Sequence, residues 1–440
     1  MTYGRAAVPA VAGALLLTAL LWWAGASVNA LHLQGTARVL GPQAVADLEY
    51  WLNPWSYDPP ESVRLGTLAQ GGTGSRYLAL YGTAMQIRFA AVFAFFVPGA
   101  LLLVRRLPPV NRRLPATLMA LWAWGMAAGT LAVTVSAPWV IASQGRGSYR
   151  FLPQLAGTMT AGRQILVLVA LFVAVVTVLI ARITAKGAGD LPRAVVPARG
   201  ARAAATVGTL VVAVSLVVLS YQPVAARIQT VSLSGGLLSE PGDFLRQWLL
   251  LGGWAGPAGT SIGEWLLYRA ADGLLLAVVW CALRWLPGLL TRATVTAVTA
   301  VAVCATVVGL LAGQLLRVAV DSTGLAMLYG PVRVMSALGT GVPAALFVGS
   351  LAGLLAALTL RWAGGVAAGR RRPGTARGGA GESRSRMTRP PARLCAGRAV
   401  GDGSGASTSR APPSSRSWRS DRRDHRRRCP SGRCPSRSGR

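Results

Sequence analysis

Apolar residues in this chain gather into eight runs, covering residues 6–28, 85–104, 115–137, 164–181, 204–222, 267–283, 293–313 and 338–360. A helix of roughly 17 to 25 such residues crosses a hydrocarbon core about 30 Å thick. The pattern predicts an all-α membrane protein, an eight-span helical bundle. Ala24-Gly25-Ala26 would suit signal cleavage, but the first run is longer than the roughly 7 to 15 residues of a signal core. It is read as a retained span.

The polar stretches between the runs repeat. Arg105-Arg106-Leu107-Pro108 closes the second run, and Arg284-Trp285-Leu286-Pro287 closes the sixth, 179 residues later. Arg182 and Arg361, at the ends of the fourth and eighth runs, have the same separation. The loops echo too. Leu31-His32-Leu33-Gln34-Gly35 resembles Val231-Ser232-Leu233-Ser234-Gly235, and Trp55 has a counterpart in Trp254. Two units of four spans are expected, 1–203 and 204–369. Four is an even number, so both units enter the membrane from one side and the repeats are parallel.

Composition agrees with the runs. Apolar residues make up 52% of the 440 and charged residues 13%, where a soluble domain carries about a quarter charged. The net charge of +31 is unevenly spread. Residues 370–440 hold 20 arginines against four acids, with almost no aliphatic content. Such composition cannot bury a core, and a disordered cytoplasmic tail is expected. It is also what GC-rich DNA gives when read out of frame, so a change of frame after Arg370 is a second expectation for this segment. Continuous codon third-position bias across the tail in the gene would sink that expectation.

Arginine placement sets the orientation. Segments 1–6, 105–114, 182–203, 284–292 and 361–372 hold 16 basic residues and a single acid, Asp190, in 59 positions. Lys and Arg near span ends mark the cytoplasmic side, so both termini are expected in the cytoplasm of a cell-membrane protein. Anionic lipid is the expected partner of these basic turns. Nucleic-acid binding is not expected.

On the outer side, residues 44–52 and 242–251 space aromatic and aliphatic residues helically beside acids, which would lay Trp51 and Trp248 at headgroup depth. Within the spans, small residues stand four apart: Gly125 and Gly129, Ala170 and Ala174, Gly309 and Gly313, Gly349 and Gly353. Such pairs let helix backbones approach.

Candidate chemistry is sparse. His32 is the only histidine outside the tail, and no phosphate-cradling Gly-x4-Gly-Lys motif occurs. Gly259-Thr260-Ser261-Ile262-Gly263 matches a nucleophile elbow, but it lies in a Gly/Pro-rich loop, where a turn explains it. Cys429 and Cys434 lack the second pair a structural zinc site needs. No catalytic, metal or cofactor site is assigned, and no enzyme is expected. What remains is charge near the outer ends of spans, where ionisable groups are costly and seek a cavity or a partner. Asp272, Arg269, Glu264, Arg88, Arg163, Arg317 and Asp321 form a candidate outer charge ring.

In composition the chain resembles the uncharacterised multi-pass membrane proteins common in GC-rich bacteria, a likeness that carries no site residues. Two functions are expected to compete. One is a permease-like component for an amphiphilic or lipidic substrate, driven by a separate ATPase subunit. The other is a non-enzymatic scaffold offering its outward loops to another membrane protein. Reporter fusions after residues 60, 110, 190, 250 and 375 test the shared topology. Those at 60 and 250 should report the outside and the other three the cytoplasm, whereas 110 and 190 outside would reverse the orientation.

Overall fold

The computed structural model describes residues 3–33, 35–59, 63, 74–109, 113–145, 150–185, 197–251, 262–321 and 338–370, except the side chains of 74, 264, 321 and 364–370. The tail, Trp254 and most of the elbow-like loop lie outside these residues. All regular structure among them is helical. Among the described residues eight helices are long and apolar enough to span a membrane. They are α1 (Tyr3–Ala26), α2 (Gly74–Arg106), α3 (Leu114–Ser143), α4 (Arg163–Thr184), α5 (Ala198–Val214), α6 (Ile262–Leu289), α7 (Val295–Asp321) and α8 (Val342–Arg370). The chain is a multi-pass integral membrane protein.

Helix lengths correct the boundaries expected from hydropathy. The second span was expected from 85, yet α2 begins at Gly74. The third was expected to end at 137, yet α3 runs to Ser143. Backbone hydrogen bonds in a helix are local, so it continues through polar turns where an apolar window stops. At 33 residues, α2 is about 50 Å long at ~1.5 Å per residue. It therefore projects beyond a ~30 Å core.

Neighbouring helices close into two rings. In the first half α1 packs on α2, α2 on α3, α3 on α4, and α4 back on α1; α5 to α8 close in the same order. The halves meet mainly where α3 touches α7 and α8. Two small residues meet at this seam. Cys304 of α7 donates its S–H to the Ala120 carbonyl of α3 at 3.3 Å. Helix α7 is the most enclosed span, 72% buried over its apolar window, and α6 the least at 22%. At the N-terminal end of the bundle the Thr291 N–H donates to the Arg106 carbonyl at 3.0 Å. The two basic turns that echo one another in sequence thus lie side by side.

The amphipathic segments are helices, Pro42–Leu52 and Gly242–Leu249, but their tryptophans differ from expectation. Trp51 is buried in the protein. Trp248 packs with Phe244 and Phe151 on a cluster of Ala137, Ile141 and Leu152. The second-half helix is therefore docked on first-half residues, reinforced by an exposed Arg150–Glu240 pair at 3.6 Å.

The small-residue pairs mark close contacts, though not always with matching partners. A Cβ on Gly125 would stand 2.9 Å from Ala170 of α4, and one on Gly353 2.6 Å from the Thr299 backbone of α7. The pair Gly309 and Gly313 faces α6 through Leu275 and Ala271, whereas its sequence counterpart in α3 faces α4. The tightest approach to another segment's backbone is Gly25, where a Cβ would fall 1.9 Å from the Trp55 carbonyl oxygen. Gly25→Ala should destabilise the protein by about 1 to 3 kcal/mol, the usual cost of overpacking. Gly82→Ala, with nothing within 4 Å, should be neutral or mildly stabilising in the same thermal unfolding assay. Equal melting of both variants would contradict this packing.

Candidate functional site

At the end of the bundle away from the N-terminus, the first half is plugged by a short turn. Pro54 lies within the 3-10 turn Asn53–Trp55, where its fixed φ suits the tight backbone. The turn drives Trp55 between the helices until it is fully buried. A buried indole N–H needs an acceptor, and Trp55 Nε1 donates to the Gly162 carbonyl at 2.9 Å. Gly162 holds a φ of 71°, in the left-handed region, and a Cβ there would stand 2.6 Å from that nitrogen. The Tyr81 hydroxyl donates to the Ser56 carbonyl at 2.8 Å. Tyr57 stacks on Phe89 with centroids 5.5 Å apart, and burial raises its phenol above the usual range.

Arg88 of α2 completes the plug. Its Nε donates to Ser136 Oγ of α3 at 2.9 Å, and Nη1 donates to the Pro54 carbonyl. The guanidinium sits 5.9 Å from the Trp55 ring centroid, within cation–π range. Only 4% of Arg88 is exposed, and among the described residues no carboxylate forms an ion pair with it. A buried charge is costly unless paired. Here neutral dipoles and one aromatic face do all the holding. Beside it opens a cavity of about 230 Å³, with Tyr50, Asn53, Tyr81, Gln144 and Thr158 in its wall together with Arg88.

The second half carries a different arrangement. On α6, Arg269 Nη1 lies 3.4 Å from Asp272 Oδ2, an i,i+3 pair on one helix face. From α7, Arg317 Nη2 donates to Asp272 Oδ1 at 3.2 Å. The three side chains are 14 to 27% exposed. Each arginine also lies over an aromatic ring, Arg269 by Trp265 at 5.9 Å and Arg317 by Tyr268 at 4.6 Å. One carboxylate between two guanidiniums leaves the cluster one positive charge in excess.

The expected ring thus resolves into separate places. Asp272, Arg269 and Arg317 come together, while Arg88 stands in the other bundle. Arg163 is the first residue of α4, against the turn at Gly339. Glu264 lies on α6 and Asp321 ends α7, but their side chains are outside the described residues. Sequence reasoning overlooked Ser136, Gln144 and the wedge role of Trp55. It also passed over Gln314 of α7, which donates to the Thr340 carbonyl at 2.7 Å and accepts the Gly339 N–H at 2.9 Å. A lone amide just beyond the end of the apolar run 293–313 was the available signal. Among the described residues no three His, Cys, Asp or Glu side chains cluster as a metal site would require.

The chain matches no family model, no curated protein and no solved structure, so these sites are read from their own geometry. If Asp272 links α6 to α7 through Arg317, Asp272→Asn and Arg317→Met should each destabilise the fold. Removing one partner of a fully buried pair costs about 3 to 5 kcal/mol, and partial exposure should bring this to roughly 1 to 3. The double variant should lose clearly less than the two single losses combined. Strict additivity in unfolding measurements would show that the pair does not couple.

Proposed function

We propose that this membrane protein is a permease-like component of a transporter for an amphiphilic or lipidic substrate, energised by a separate ATPase. The observation that carries the reading is the Asp272, Arg269 and Arg317 cluster. It joins α6, the span least covered by the rest of the protein, to α7. Ionisable groups inside spans usually serve a pathway or a partner. A net positive cluster beside an uncovered helix suits the polar head of a molecule whose tail stays in lipid.

In this reading both termini are cytoplasmic, and the chain is a duplicated four-span unit with an axis along the membrane normal. The cluster then lies toward the outer face. Support for duplication comes from the way each ring closes. Gly13 of α1 meets Thr177 of α4, and Gly208 of α5 meets the Ala352 carbonyl of α8. The basic turns carry their charge on aromatic faces, with Arg105 3.5 Å from the Tyr3 centroid and Arg284 4.7 Å from that of Trp280. This suits contact with anionic lipid on the cytoplasmic side.

A scaffold reading draws on the same uncovered helix, where Trp265 and Leu266 are exposed and would face a partner instead of lipid. The two separate by experiment. Purified under mild detergent with its native partners, the chain should bring an ATP-hydrolysing subunit whose turnover rises several-fold with an amphiphilic substrate. Asp272→Asn should abolish that rise and Asp272→Glu restore part of it. A stable complex without ATP hydrolysis, combined with normal function of Asp272→Asn in cells, would favour the scaffold and end the transport proposal.

A further inference from the structure

A guanidinium is the side chain least able to shed its charge, and its five N–H groups form a rigid fork suited to oxyanions. Arg88 buries that fork at the rim of a cavity while Ser136 Oγ and the Pro54 carbonyl accept from two of its nitrogens. Among the described residues the remaining N–H groups find no acceptor. Nor does any described carboxylate form an ion pair with it. The contrast with the second half is direct, since Arg269 and Arg317 share Asp272. One site carries its anion in the chain, and among the described residues the other has none paired with its cation.

The surroundings of Arg88 narrow what would fill that place. Polar Tyr50, Asn53 and Gln144 line the cavity together with apolar Pro54, Val140 and Ala161. Its volume of about 230 Å³ is many times the roughly 10 to 15 Å³ that a single water needs. That holds a phosphate-sized group with a short substituent. Arg88 is 17 residues along α2 from Arg105, about 25 Å at ~1.5 Å per residue. If Arg105 marks one edge of a ~30 Å core, Arg88 lies near the opposite edge, at the depth where headgroups begin.

We propose that the cavity beside Arg88 is an oxyanion-binding site that takes the phosphate of an anionic amphiphile or a free phosphate. Arg88 supplies the charge, with Asn53 and Gln144 as further donors. Trp55 and Ser136 position the guanidinium and do not touch the ligand. The site does not rest on the transport reading. A lipid held there permanently would satisfy it, and its binding is measured without any flux.

The experiment uses the full chain in an uncharged maltoside detergent, stripped of lipid. Phosphatidylglycerol binding is followed by native mass spectrometry and by the rise in melting temperature. Phosphatidylcholine and inorganic phosphate are the comparison probes. Phosphatidylglycerol should bind at least tenfold more tightly than phosphatidylcholine, whose attached cation opposes Arg88. Arg88→Gln should weaken phosphatidylglycerol at least tenfold. Because Arg88 also braces the Pro54 turn, Val140→Trp is the second variant. It fills the cavity and leaves the bonds of Arg88 in place, and should cause the same loss with an unchanged lipid-free melting temperature. Competition by millimolar inorganic phosphate assigns the site to a free oxyanion. Failure to compete, with phosphatidylglycerol still bound, assigns it to the lipid headgroup. Equal affinity for the two lipids, or phosphatidylglycerol binding undiminished in Val140→Trp, overturns the proposal.

Discussion

No water reaches the hydrocarbon core to satisfy a peptide N–H or carbonyl, so each must find its partner inside the chain. Eight helices meet that constraint here. It then governs how they pack, because lipid is as apolar as leucine and burial alone draws no two helices together. Close contact has to come from shape. The spans at the seam are accordingly rich in Ala and Gly, as in Trp124-Gly125-Met126-Ala127-Ala128-Gly129 of α3, and α7 is the most enclosed. Spans at the periphery carry larger side chains, and α6 leaves Trp265, Leu266 and Trp285 exposed.

The same constraint makes each buried charge a matter to be resolved locally, and the two halves resolve it differently. Asp272 receives two arginines, which leaves the second-half cluster with one positive charge in excess. Arg88 instead rests on a carbonyl, a hydroxyl and an indole face. Those groups orient the fork but do not cancel its charge. The Trp55 turn is consequently both a stopper for the first ring and the wall of its cavity. Gly25 and Gly162 are glycines because any side chain there would collide with it.

Much of the architecture was legible in the amino-acid sequence because membrane-spanning helices announce themselves by length and hydropathy. Their number was plain, but their ends were not. α2 extends well before residue 85, since Tyr77, Tyr81 and Arg88 depress an apolar window without breaking a helix. Within the candidate sites, the pairing of Arg269 with Asp272 followed from an i,i+3 spacing. Arg317, 45 residues from Asp272, and Ser136, 48 from Arg88, could not be found by spacing, because only the closing of the rings joins them. Trp51 looked like a headgroup anchor because helical periodicity tells which face is apolar and not whether lipid or protein covers it. For the same reason Gly309 and Gly313 revealed a close contact without naming α6 as the partner.

The two four-helix rings form one body along the α3 and α7 seam, which fixes where both polar sites stand. Chemical cross-linking tests it most directly. With Cys304 kept, the other four of the five cysteines replaced by serine, and Ala120→Cys introduced, a short thiol-bridging reagent should tie α3 to α7 in intact membranes. After proteolytic cleavage between α4 and α5 the halves should then migrate as one species on a denaturing gel, and as two without the reagent. Halves that separate despite complete thiol modification would contradict the seam and the account built on it.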